Sequence, residues 1–477
     1  MADLAPDRIG PAEKHAGHLA GSRAEVRRVA LEILMEAEAL RHFVDEILAR
    51  EIPRFEERDR HLLQEIAYGA LRHRNTLDHL LDFHLKFPTA RQRVQVSWAL
   101  RVGAYQLVYL DRIPPHAAVN QTLEGLKALP GAGSNEVGFV NAVLHKLAGE
   151  IRIKSEEAPV DRDDPCVLPI RRGHCMFTRP VLPLYRVDPP MHLAIKYSHP
   201  AWLIKLWLER HGDEETRELC TANNAVPVPT ARVTRLAPSR EAVLAALEEE
   251  GWTVAPGGLD NSFVIRKGHD LSASRTFARG WFQMQDPTAI RIGEVLCPPA
   301  GTRVLDLCSA PGGKAAQLLE SVGPEGHVVA ADRSEDKLAL VRQNLSPIGS
   351  NFTTVIVPEH PAAIDLGQTF THILVDAPCS NTGVLARRPE ARWRIRPKDL
   401  HTLSQVQVGL LEAGLRHLAP GGRLLYSTCS IEPDENENVV AKIFARHPEL
   451  TEIETRLFLP HRIPGDGGFY SLLRSPR

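Results

Sequence analysis

The chain has no apolar run near the ~20 residues that a membrane span requires, and residues 1–22 lack the apolar core of a signal peptide. Both absences point to a cytoplasmic protein. Cysteine is scarce and odd in number, seven in 477 residues. That excludes a disulfide framework and leaves each thiol as a small hydrophobe or a working group. Net charge is nearly absent: 57 Lys and Arg stand against 59 Asp and Glu, for −2 overall. A chain-wide attraction to nucleic acid is thereby excluded, and only a local basic patch remains open. There is no internal repeat, no GxGxxG and no P-loop, because Lys314 follows its two glycines without the required spacer. Cys166, His174 and Cys175 lie close in sequence, but their spacing matches no zinc pattern, and no metal is expected.

What is present divides into segments. The length suggests about three domains at ~150 residues each. Residues 1–22, rich in Ala, Gly and Pro, read as a disordered tail. Residues 23–150 carry helical periodicity throughout, as in "AEVRRVALEILMEAEAL" and "VQVSWALRVGAYQLVYL", and predict an all-α bundle. Residues 151–190 are full of proline and read as a linker or a looped insertion. Residues 191–290 mix helix and strand patterns, a small α+β lead-in module. From 291 to 477 strands and helices alternate, the pattern of a parallel sheet covered on both faces.

The stretch "VLDLCSAPGGKAAQLL" is a strand, a glycine turn and a helix start. In open α/β sheets, ligands bind beyond the carboxyl ends of the strands. Glycines let the backbone approach a ligand, and the helix N-terminus offers free N–H groups. Asp306 before the turn would repel a pyrophosphate and suits a cofactor with a cationic or zwitterionic end. Asp332 closes the next strand, near the separation of ~20 residues expected of a ribose-binding acid; the bland alternative is a helix N-cap.

Two cysteines follow two further strands: Cys379 in "DAPCSNTGV" and Cys429 in "YSTCSIEPDENE". In a parallel sheet both emerge at the cofactor's edge. Two thiols over one site fit a nucleophile with its helper, a redox pair or metal ligands; buried core cysteines are the plain alternative. Of the others, Cys220 and Cys297 read as buried, and Cys308 packs beneath the ligand. Between the pair runs "ARRPEARWRIRPK", with Arg387, Arg388, Arg392, Arg394, Arg396 and Lys398 against Glu390. A basic stretch with an interleaved Trp393 suits a nucleic-acid backbone; a solvated loop is the alternative. In the helical region, Arg72, Arg74, Arg91, Arg93 and Arg101 are candidates for a second supply of charge, with plain solvated residues as the equal alternative.

"DLCSAPGGKA", "DAPCSNTGV" and "YSTCSIEPDENE", led by "QMQDPTA", resemble the signature motifs of the NOL/NOP/Sun group of RNA cytosine-5 methyltransferases. The N-terminal stretches "ERDRHLLQEIAYGALRHRNTLDHLL" and "GFVNAVLHKL" resemble a NusB-type RNA-binding domain. The fusion is similar to the Sun/RsmB/Fmu family of 16S rRNA methyltransferases. The resemblance implies a Rossmann-like, seven-stranded methyltransferase sheet after the bundle, S-adenosylmethionine as methyl donor and small-subunit rRNA as partner; a monomer is expected. It implies that Cys308, Ser309, Ala310, Pro311, Gly312, Gly313 and Lys314 wrap the cofactor and that Asp332 holds its ribose. Asp376 then lies between cofactor and base, Cys429 is the nucleophile, and Cys379 assists product release. Lys314 adds positive charge beside the thiol. Members of the group commonly carry Ala in place of Ser309, and Gly-Asp where this chain has Pro358 and Glu359; Glu359 is then the residue at the adenine edge. On this reading Arg387, Arg388, Arg392 and Arg394 grip RNA. The same chemistry on tRNA or another RNA, and an inert RNA-binding assembly factor, are the alternatives.

Overall fold

The computed structural model describes residues 23–40, 42–268 and 271–477; the expected tail at 1–22 lies outside them. The chain divides into two compact units, the first ending at Arg217 and the second beginning at Glu218.

The first unit opens with seven α-helices: Arg23–Leu40, Val44–Glu51, Glu57–Arg72, Arg74–Asp82, Val94–Tyr109, Pro115–Lys127 and Ser134–Glu150. Helix Val94–Tyr109 is buried along nearly its whole length, so it is the axis of the bundle. Its Arg101 is buried, donates to Asp78 at 2.7 and 3.0 Å, and lies over the ring of Trp98. Arg72 is buried as well. Of the five arginines offered above as surface charge, Arg91 and Arg93 are exposed. Arg72 and Arg101 serve the core, because a guanidinium inside a bundle is retained only with partners.

The proline-rich segment is not a plain loop. It holds a three-stranded antiparallel sheet of Ile151–Ser155, His174–Phe177 and Val167–Pro169, in that spatial order. Cys175 is buried in its middle strand, and burial pushes its thiol up to about 12. Prolines are tolerated at strand ends and edges, which is where Pro169 sits.

The second unit starts with a four-stranded antiparallel sheet, in the order Thr253–Pro256, Ser262–Lys267, Thr230–Val233, Phe282–Met284. The larger sheet has seven strands. They are β1 (Arg303–Leu307), β2 (His327–Asp332), β3 (Phe352–Ile356), β4 (Phe370–Asp376), β5 (Leu418–Thr428), β6 (Thr451–Phe458) and β7 (Gly468–Arg474). Their order is β3-β2-β1-β4-β5-β7-β6. The first five run parallel; β7 is antiparallel to both neighbours. Alternate residues divide between two cores. Leu305, Leu307, Val329, Ile373, Val375 and Tyr426 pack on one face. Val304, Val328, Ala330, Leu374 and Leu425 pack on the other. This is the two-sided burial expected of a parallel sheet. Strand order reverses between β1 and β4, so the crevice for a ligand opens there.

A buried ion pair ties the small sheet to the large one. Arg232 reaches Glu320 of helix Gly313–Val322 at 2.8 and 2.9 Å. Among the described residues no helix is long and apolar enough to cross a membrane.

Candidate active site

The register of β4 and β5 assembles the site. Asp376 and Ser427 are partners across these strands, so Ser427 Oγ donates to Asp376 Oδ1 at 2.6 Å. Cys379 and Cys429 follow in the two loops that leave the strands. Their sulfurs are 3.0 Å apart. The thiols are free, and neither is exposed. Lys314, in the first turn of helix Gly313–Val322, comes from the β1 side of the crevice. Its Nζ meets Asp376 Oδ2 at 2.6 Å. Burial works against the Lys314 charge, but Asp376 beside it outweighs burial and holds the ammonium above its ordinary range.

The glycine turn is built by the strands beneath it. Cys308, with a positive φ of 75°, and Ser309 both donate their backbone N–H to Ala331 O at 2.9 Å. The Ala310–Pro311 peptide is cis. Gly312 is left-handed at φ 105°, and a Cβ there would meet Val341 Cα at 3.2 Å. Glycine is therefore required for the turn to sit against helix Glu335–Leu345. Asp332 is buried and accepts from Ala310 N at 3.2 Å and Arg333 N at 2.8 Å.

Asp306 is the most telling group in the crevice. It is 1% exposed, and neither carboxylate oxygen has a hydrogen-bond partner; nor does the buried Ser309 Oγ. Burial, with the negative charge of Asp376 second, pushes the Asp306 carboxyl up to about 7. A lone buried carboxyl at the end of β1, beside a helix N-terminus, suits a ligand that brings its own cationic end. The donor set fits S-adenosylmethionine, whose cationic methionine end suits Asp306 and whose ribose suits Asp332.

Both thiol loops are anchored by a residue that sequence reading passed over. Glu435 is fully buried in the "DENE" run. It accepts from Ser380 N at 2.9 Å, from Ser380 Oγ, from Ser430 Oγ at 2.6 Å and from Gln407 Nε2 at 3.0 Å. Ser380 and Ser430 each follow one of the two cysteines. Burial raises the Glu435 carboxyl, and the serine hydrogen bonds oppose the rise. Gly383 completes the junction. Its N–H donates to Cys429 O at 3.0 Å and its carbonyl accepts from Gly467 N at 2.7 Å, and a Cβ would stand 2.6 Å from Gly467 O. In an acid-rich run one buried Glu has no signal of its own; its spacing from Cys429 was the only clue.

The basic stretch is corrected by the structure. Arg392 is fully buried, held by Asn224 Oδ1, Asn223 O and Leu385 O, and so is a core residue and not an RNA contact. Arg387 lies between Asp286 at 2.9 Å and Asp466 at 2.7 Å, which turns its charge inward. Arg388 and Arg394 are partly exposed; Arg396 and Lys398 are exposed. Glu359 is also exposed, 3.6 Å from Arg333 in an ion pair. Cys297 is exposed, against the expectation of burial, while Cys220 is buried. A separate cavity of about 440 Å³, lined by Arg232, Arg235, Asn261 and Glu320, shares no residue with the thiol site.

The family model described as 16S rRNA methyltransferase RsmB/F matches residues 294–473, the span of the large sheet. The NusB family model matches residues 24–149, and a ferredoxin-like domain of RsmF/B-like methyltransferases matches 199–271. Ribosomal RNA small subunit methyltransferase B of Vibrio cholerae is 32% identical over 458 residues, covering 94% of this chain and 97% of that protein. This chain belongs to the RsmB/F family of 16S rRNA methyltransferases. The Escherichia coli protein of the same name is 33% identical over 87% of this chain and 91% of its own length. Among solved structures, PH0851 superposes with a TM-score of 0.77 at 23% identity, over 95% of this chain and 99% of its own. NSun6 from Pyrococcus horikoshii, solved with SFG, gives 0.53 at 20% identity, over 58% of this chain and 98% of its own. These likenesses support the fold: helical N-terminal part, small sheet module and seven-stranded methyltransferase sheet. In this family the cofactor is S-adenosylmethionine.

Proposed function

We propose that this chain methylates carbon 5 of a cytosine in small-subunit rRNA, through a transient bond between Cys429 and carbon 6 of the base. The observation that carries the reading is the 3.0 Å pair of thiols at the mouths of β4 and β5, facing the Lys314–Asp376 ion pair. Carbon 5 of cytosine is a poor nucleophile while the ring is aromatic. Addition of the Cys429 thiolate to carbon 6 breaks the aromaticity and makes carbon 5 electron-rich. When bound, S-adenosylmethionine supplies an electrophilic methyl group for that carbon. A base then takes the carbon 5 proton, the C5–H electron pair re-forms the ring double bond, and the carbon 6–sulfur pair returns to sulfur.

The residues divide the work. The hydrogen bond with Cys429, and burial after it, raise Cys379 well above an ordinary thiol. Cys379 thus keeps its proton, and it stands where the product leaves. Asp376, fixed by Ser427 and Lys314, shares a proton with ring nitrogen 3 and holds negative charge off the adduct. Lys314 places a positive charge beside the thiol pair. Asp332 and the 308–314 turn hold the cofactor. The base must leave its stack or already lie in a loop to meet the thiol. Arg388, Arg394, Arg396 and Lys398 and the helical unit bind the RNA backbone.

Bisulfite sequencing of rRNA from cells with and without the gene tests the reading. One protected cytosine lost from small-subunit rRNA is the expected result; an unchanged rRNA pattern refutes the substrate.

A further inference from the structure

Asn381 bonds to both thiol segments and reaches one of the two sulfurs directly. Its backbone is left-handed, at φ 63°, a conformation that Asn adopts more readily than most residues. The turn brings the amide back over the pair. Asn381 Nδ2 donates to Cys379 O at 3.1 Å, and Asn381 Oδ1 accepts from Cys429 Sγ at 3.1 Å. The first bond fixes the amide's orientation, since the flipped amide would set oxygen against a carbonyl oxygen. The atom facing Cys429 is therefore an acceptor. A thiol satisfies it and a thiolate does not.

We propose that Asn381 holds the proton of Cys429 and aims its sulfur, so that this side chain sets the pH at which the thiol becomes a nucleophile. The proposal deepens the nucleophile reading given above and takes its catalytic meaning from it. In the resting site Cys379 donates to Cys429 and Cys429 to Asn381. When Cys429 loses its proton, Cys379 still donates to the sulfur, while Asn381 faces it with an oxygen lone pair and leaves it reactive. The other groups around the pair are Lys314 from its helix, Asp376 from β4 and Glu435 from the turn after β5. All three are retained in the variants below.

The test is the pH profile of Cys429 alkylation by iodoacetamide in the full chain, read by mass spectrometry on the tryptic peptide 424–442, which contains Cys429 and no other cysteine. Asn381→Gly tolerates the positive φ and removes the acceptor. Its midpoint should fall by about half to one pH unit, a three- to tenfold faster reaction below the midpoint. Asn381→Asp places a carboxylate at the same point and should raise the midpoint. Opposite shifts support the proposal, because mere loosening of the loop moves both variants the same way. Unmoved midpoints, or shifts of one sign, overturn it. If Asn381→Gly does not fold, Asn381→Asp decides alone: a raised midpoint supports the proposal and an unmoved or lowered one overturns it. Turnover by Cys429→Ser is the separate test of the nucleophile. Methylation by that variant would remove the nucleophile reading and leave the alkylation result standing.

Discussion

Asp306→Asn should make the second unit more stable at neutral pH and worse at holding its cofactor. The wild-type carboxyl is buried without a partner and pushed from an ordinary 3.8 up to about 7. A carboxyl raised by folding contributes its stability below its ordinary value, and that contribution is lost as pH rises through the folded value. Between pH 5 and pH 8 the linkage relation gives a loss of about 2–3 kcal/mol in the wild type. The neutral amide has no such dependence. At about 2–4 °C per kcal/mol for a unit of this size, the variant's advantage in melting temperature should grow by roughly 5–10 °C over that range. The assay is thermal unfolding of both proteins without cofactor, following the transition that S-adenosylmethionine raises in the wild type. The cofactor's cationic end wants the ionised carboxylate, so wild-type affinity should climb with pH up to about 7. The variant's affinity should be flat and roughly 10- to 100-fold weaker, the worth of one charged hydrogen bond. A stability difference that stays constant between pH 5 and pH 8 refutes the buried, titrating Asp306.

Cys429→Ser should abolish turnover and covalent adducts, whereas Cys379→Ser should accumulate a protein–RNA species visible on denaturing gels; swapped outcomes would reverse the two roles. Glu435→Ala should cost at least about 3 kcal/mol in denaturant unfolding, because it strands several buried donors at about 1–3 kcal/mol each. Glu435→Gln should recover most of that, since the hydroxyls of Ser380 and Ser430 can turn to accept from the new amide; equal losses in the two variants would argue against a hydrogen-bonding role. Arg396→Ala and Lys398→Ala should each weaken RNA binding and lower the salt slope by about one. Arg392→Ala should instead lower the melting temperature, and a pure binding defect there would contradict its burial.

The parallel part of the fold was legible because both faces of β1, β2, β4 and β5 are buried, which writes continuous apolar runs into the sequence. The C-terminal hairpin was not. β6, "TEIETRLF", is exposed along most of its length as an edge strand, and its alternation carries no apolar face. The sheet within 151–190 was hidden for another reason: its strands are three to five residues long, and prolines punctuate them. Helix Val94–Tyr109 shows the converse. Its periodicity is plain in the sequence, yet its buried Arg101 looks like surface charge there, because charge alone does not reveal a partner such as Asp78.

The same distinction explains what was legible in the site. Cys379, Cys429, Asp376, Lys314 and Asp332 stand at strand ends or in the glycine turn, where position follows from topology alone. The residues that give these groups their behaviour do not. Glu435 acts through two serines, Asn381 through an amide orientation set by a carbonyl, and Gly383 through the absence of a side chain. Each depends on a contact across the β4 and β5 loops, some 50 residues apart in the chain. A pair of thiols 3.0 Å apart also lies one oxidation from a disulfide. The scaffold that keeps them close therefore has to keep them unequal, with one protonated and one able to attack. In the proposed arrangement the hydrogen bond from Cys379 favours the charge on Cys429, and the oxygen of Asn381 opposes it.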